Sequence, residues 1–259
     1  MKKINKSLPP NPLTVFVNSN PNATWDDFRN NARQLYDDLK QQMLAEQGGL
    51  CAYCEKKLPS DDKSQQQIEH FHDKSDKSTV HNWGLDWNNL LLVCKGGQTD
   101  NYPRPENLSC DAHKSYLKNE NKISESCEGL FLNPIQIKTI ARLFNFDKGT
   151  GKLLVNCEIC QTLANDNLPN NYGNDWCMLA QETIRILNLN CQRLCDDRLE
   201  VLKFYNQQVK EYRRKNDKLG FQKLSESVFR KSFPPFFTTW RSLLGKHAEE
   251  YLASIGYNG

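Results

Sequence analysis

The chain has 259 residues, 38% of them hydrophobic and 10% aromatic, with a formal net charge of +3. It is long enough to bury a sizeable core, and its aromatic content argues against disorder. No apolar run approaches the roughly eighteen residues of a membrane span, and the basic start Met1-Lys2-Lys3-Ile4 lacks an apolar signal region, so a cytoplasmic protein is expected. Ten cysteines in a reducing compartment read as metal ligands or buried thiols rather than disulfides.

Residues 1–23 are rich in Pro and Asn and predict an extended arm. Thr24 is a good N-cap with Asp27 in capping-box position, so a helix is expected from there. Trp25, Phe28, Ala32, Leu35, Leu39 and Met43 give it one apolar stripe, and Gly48-Gly49 ends it. Residues 1–48 thus form an N-terminal arm and helix, a place where a partner could dock. Residues 49–118 are short and turn-rich. They predict a C-x-x-C knuckle, a β-hairpin around Ile68–His70, a loop, and a short helix from about Asp111. The remainder, 119–259, reads as mostly helical, with helices over 178–189 and 191–214, a strand and tight turn at Phe144–Gly151, and a loop at 165–174. Residues 198–231 hold ten basic and four acidic side chains, a local +6 suited to a phosphate backbone. Lys210, Arg213, Arg214 and Lys215 are the candidates there.

The chemistry concentrates at 51–114. Cys51-x-x-Cys54 offers two thiolates on one turn, and Cys94 and Cys110 complete a tetrahedral zinc set. Phosphodiester hydrolysis needs an activated water and a Lewis acid on the phosphate. His70 can take a proton near neutral pH, and the Glu69 carboxylate suits a hard cation such as Mg²⁺. Neighbours on a strand face opposite ways, so bringing Glu69 and His70 to one phosphate predicts a distortion there. Asn89 can ligate through its amide oxygen, or fix a loop or the base.

Glu69-His70, Asn89 with Cys94 five residues on, and the ending Cys110-Asp111-x-x-Lys114 resemble the HNH endonuclease superfamily. The resemblance implies a zinc-stabilised, treble-clef-like ββα-metal core in a mainly helical α+β chain. It also implies His70 as general base, and Glu69 with Asp111 as ligands of a catalytic Mg²⁺ or Mn²⁺. His113 is an alternative to Asp111. A narrower likeness rests on Gly49–Glu55, Ile68–Phe71, Trp87–Cys94, Gly129–Pro134 and Ile186–Asn190 followed by Arg198. These look like the PtuB-like HNH components of Septu-type and retron-associated anti-phage systems. That likeness implies an SMC/ABC-like, PtuA-like ATPase partner, a retron reverse transcriptase with its noncoding RNA, and a DNA or RNA substrate.

Lys114 could touch a phosphate, or lie on a helix surface. Cys157, Cys160, Cys177, Cys191 and Cys195 could form a second metal site, although they equally suit buried thiols. Two rival functions stay open: a zinc-stabilised binding module without catalysis, and a stand-alone restriction or homing-type nuclease.

Overall fold

The computed structural model describes residues 1–98, 101–124, 126–137, 140–163 and 175–259. The expected arm holds a helix, α1 (Pro12–Ser19). Asn11 and Thr14 form a reciprocal capping box and Pro12 supplies a preset first turn, which outweighs the breaker-rich composition. The helix predicted from Thr24 is two helices, α2 (Trp25–Asn31) and α3 (Arg33–Glu46). Thr24 and Asp27 do form the predicted box. The break falls at Ala32, whose φ of −116° and ψ of 50° leave the helical region. Trp25, Phe28, Leu39 and Met43 remain on one buried face across the break. Gly48, at φ +68°, closes α3, and a Cβ there would meet the Phe233 ring at 2.5 Å.

Strands β1 (Gln66–His70) and β2 (Leu90–Cys94) pair antiparallel, from Gln66 opposite Cys94 to His70 opposite Leu90. Helix α4 (Cys110–Asn119) follows. The run Leu90-Leu91-Leu92-Val93 is fully buried, and each such side chain contributes roughly 1.5–3 kcal/mol. The free edge of β2 is satisfied by other groups. Ala52 N donates to Leu92 O, and the Gln47 amide of the α3 C-cap both donates to Leu92 O at 2.7 Å and accepts from Leu92 N at 2.9 Å.

A second small hairpin, β3 (Phe144–Phe146) with β4 (Leu153–Val155), matches the strand and turn expected there. The helices α5 (Cys157–Thr162), α6 (Trp176–Ile186), α7 (Gln192–Arg214), α8 (Gly220–Phe229), α9 (Phe237–Leu244) and α10 (Lys246–Ser254) follow. The loop expected at 165–174 lies outside the described residues. One apolar cluster joins the N-terminal helices, the β1–β2 hairpin, α4 and α6. A second gathers α8, α9 and α10 against the distal half of α7. No helix among the described residues is long and apolar enough to cross a membrane.

Candidate active site and metal centre

The Sγ atoms of Cys51, Cys54, Cys94 and Cys110 all lie within 4.8 Å of one another. The pairs 51–110, 54–94 and 94–110 are 3.8, 3.7 and 3.9 Å apart. A tetrahedron with metal–sulfur bonds of about 2.3 Å has edges of about 3.8 Å, so the sulfurs already have the spacing of a zinc tetrathiolate. Burial pushes the Cys51 and Cys110 thiols up, while hydrogen bonds from Cys110, Cys51 and Cys54 hold Cys94 well below its ordinary value. Packing four sulfurs in a dry site makes sense when a cation shares them. The fifteen-residue excursion between Cys94 and Cys110 returns because Ser109 N donates to Gly96 O. A Cβ on Gly96 would sit 2.1 Å from Ser109 O, so the close approach requires glycine. Asn188 then ties the excursion to the end of α6 through Glu106 O and Leu108 O, both at 2.8 Å.

Glu69 and His70 lie in regular paired strand to its end, without the predicted distortion, and their side chains diverge. Glu69 faces α4, buried at 5% exposure, with Oε1 accepting from Lys114 Nζ at 2.6 Å and from the Tyr53 hydroxyl at 3.4 Å. Lys114 also donates to His70 O and Phe71 O, each at 2.8 Å. It is therefore an internal tether, and the expected phosphate contact by Lys114 is corrected. Burial alone would lower its pKa, but the charge and hydrogen bond of Glu69, together with the neighbouring Cys127 and Asp111, raise it. Burial first, then the neighbouring Asp111 carboxylate, pushes Glu69 well above the usual carboxylate range, with Lys114 pulling the other way. Asp111, in the first turn of α4, accepts from Gln67 Nε2. Two carboxyl groups face each other here, an oxygen donor pair that a small hard cation fits.

His70 packs edge-on against Trp25, ring centroids 4.6 Å apart, and its Nε2 lies 3.1 Å from Gly84 O. A carbonyl only accepts, so Nε2 carries the hydrogen and the neutral ring keeps its lone pair on Nδ1. Burial lowers the pKa of His70 to about 4, so the ring is neutral at physiological pH. Asn89 spends its amide on the loop: Oδ1 accepts from His72 N at 2.7 Å, and Nδ2 donates to His72 O and Trp83 O at 2.9 and 2.8 Å. Of the two roles expected for Asn89, this geometry serves the loop rather than a metal. It also sets Gly84, next to Trp83, and hence the carbonyl that holds His70.

His113 Nδ1 donates to Ile186 O at 2.8 Å, so it faces α6 rather than Glu69 and does not stand in for Asp111. Lys210, Arg213, Arg214 and Lys215 are exposed near the end of α7, roughly 30 Å along the helix from its start. Arg214 and Lys215 both lie 3.8 Å from Glu211. The five other candidate metal cysteines separate. Cys177 Sγ lies 3.9 Å from Cys157 O and also meets Cys160, whereas Cys195 Sγ bonds Asn190 O at the start of α7. Among the described residues only Cys51, Cys54, Cys94 and Cys110 converge closely enough for a metal.

One polar cluster escaped the sequence reading. His72, buried and stacked on Trp83 at 3.9 Å, directs Nδ1 to Glu128 at 2.8 Å and Nε2 to Asp76 at 2.6 Å. Glu128 lies 56 residues away, so no local pattern announces it. The spacing of Asp76, four residues after His72, was the only available hint.

No family model matches the chain. The chain is 38% identical over 250 residues to a curated Escherichia coli protein named "Retron Ec83 putative HNH endonuclease", covering 94% of this chain and 93% of that protein.

Proposed function

Because the chain belongs to the HNH endonucleases associated with retrons, we propose that it hydrolyses nucleic-acid phosphodiesters at the loop end of the β1–β2 hairpin, with His70 as the base. The observation that carries this is the tautomer. Gly84 O takes the Nε2 hydrogen, and a ring held neutral presents Nδ1 to a water. Trp25 and the Asn89-bound loop keep that ring from turning. A base fixed in this way avoids the entropic cost of ordering it in the transition state.

Glu69 and Asp111 would hold one Mg²⁺ or Mn²⁺ on the α4 side of β1, so a phosphate served by both the ion and His70 must lie across the end of the strand. When bound, such an ion supplies Lewis-acid stabilisation of charge on the phosphate. Lys114 fixes the Glu69 rotamer and leaves the second carboxylate oxygen to the ion. Zinc in the cysteine quartet would be structural: all four protein ligands are thiolates, so no position stays open for substrate.

The retron named in the relative supports a setting with a reverse transcriptase and its noncoding RNA. The PtuB-like sequence motifs support a PtuA-like ATPase partner and a role in limiting phage infection.

The test is cleavage of supercoiled DNA and of single-stranded RNA by the purified chain and by its complex with co-expressed retron components, with Mg²⁺ or Mn²⁺. His70→Ala should abolish cutting while zinc content and melting temperature stay near parental values. Undiminished cutting by His70→Ala removes the assigned base.

A further inference from the structure

A concave pocket of about 110 Å³ opens beside the cysteine quartet, lined by Lys56, Lys57, Lys95, Gln65, Gly97 and Arg193 among others. Its basic residues come from three separate places: the knuckle after Cys54, the turn after β2, and the start of α7. No carboxylate belongs to the described lining; Asp197 lies 3.6 Å from Lys56 Nζ. Arg193 is fixed. It is 3% exposed, its Nη2 donates to Ser109 Oγ at 2.7 Å, and its backbone N donates to Asn107 Oδ1 at 3.1 Å.

Zinc held by four thiolates carries a net charge of −2. Among the described lining residues, Arg193 and three lysines bring four positive charges to the pocket. Like charges gathered around one small cavity repel, by about 1 kcal/mol per pair at 4 Å even in water, and by more beside protein. An anion relieves that cost. The cavity has room for a tetrahedral oxyanion.

Position narrows the anion further. Cys94 lines the pocket and pairs with Gln66, four residues along β1 from His70, a separation of roughly 14 Å. Nucleic acid advances about 3.4 Å per base step on each strand, so this separation is roughly four steps. We propose that this pocket seats a backbone phosphate of the polynucleotide substrate, several nucleotides from the one that is cut, with Lys56, Lys57 and Lys95 supplying the charge and Arg193 the fixed wall. The assignment rests on the nuclease reading. It makes the zinc knuckle a binding surface as well as a scaffold. The exposed cations near the end of α7 lie too far away to share that phosphate.

The test uses the zinc-loaded full chain carrying His70→Ala, so that bound probes stay intact. Binding of a labelled DNA duplex and of a labelled single-stranded RNA is titrated across salt concentrations, with and without Lys56→Gln, Lys57→Gln and Lys95→Gln together. Each lysine removed should flatten the slope of log affinity against log salt by about 0.9, so the triple variant loses between two and three on DNA and somewhat less on RNA. An unchanged slope with both probes overturns the pocket. Should the triple variant lose zinc, the exposed Lys57 is tested alone: Lys57→Glu must weaken binding more than Lys57→Gln, and equal affinities overturn the pocket as well. A chain that binds through these lysines yet never cuts any substrate counts against the cleavage reading and leaves the pocket standing. A chain that cuts while the lysine variants bind normally sinks the pocket alone.

Discussion

Lys114→Met is the most informative single change. Lys114 and Glu69 are 5% and 6% exposed at the side chain, and their 2.6 Å contact is the ion pair at the centre of the site. Removing the ammonium leaves a buried carboxylate facing Asp111 and takes the donor from His70 O and Phe71 O. Breaking a buried pair on one side costs up to about 3–5 kcal/mol, and proton uptake by Glu69, which burial and Asp111 favour, trims that. With a urea slope of about 2–3 kcal/mol per M for a chain of this size, the unfolding midpoint should fall by up to about 1–2 M. The double variant Lys114→Met with Glu69→Gln should recover part of the loss, since no charge is then stranded. If Glu69 and Asp111 hold a divalent ion, millimolar Mg²⁺ should stabilise Lys114→Met more than the parent, by offering the carboxylates a replacement cation. The assay is urea unfolding of zinc-saturated protein with and without Mg²⁺. A Lys114→Met midpoint within about 0.2 M of the parent, or a double variant less stable than the single one, refutes the charged-pair reasoning.

Asn89→Ala removes three hydrogen bonds to the loop backbone, so it should cost about 2–3 kcal/mol and speed amide exchange across residues 71–84. Unaltered exchange there would show that the loop holds itself. Metal analysis of purified protein should return one zinc per chain, and Cys94→Ser should lose it with a broadened thermal transition; two zincs per chain would mean that other cysteines bind as well. Lys6 lies 3.3 Å from the Trp87 ring centroid, its Nζ has no hydrogen-bond partner among the described residues, and burial lowers its pKa to about 7. The unfolded chain then binds the extra proton between pH 7 and about 10.4, so stability rises with pH across that window. Lys6→Met should accordingly raise the melting temperature most at or below pH 7, with the gain fading towards pH 10; a gain independent of pH would show that Lys6 is charged in the fold.

The parts of this molecule legible in the sequence are those whose physics is local or fixed by residue type. The Thr24–Asp27 box is an i,i+3 pattern, and it appears where predicted. The C-x-x-C turn with Cys94 and Cys110 reads as one ligand set, and the four sulfurs converge. The hairpin expected around Ile68–His70 is there, with that strand, β1, paired to β2. What stayed hidden depends on distant pairings. Lys114 reads as a surface helix residue until Glu69, 45 positions away, turns it inward. His72 has no evident role without Glu128. The α1 helix was missed because its Asn and Pro signal turns by composition but here serve as cap and first turn. The break at Ala32 was invisible because the apolar stripe continues through it.

The Gln47 side chain, which mimics a neighbouring strand for Leu92, has a mechanical consequence. It fastens the far end of α3 to the middle of β2, while Trp25 at the near end of α2 leans on the imidazole. The N-terminal helices thus grip the β1–β2 hairpin at two points. A shift of those helices by an ångström would therefore tilt the His70 ring against Gly84 and tug the strand that carries Cys94.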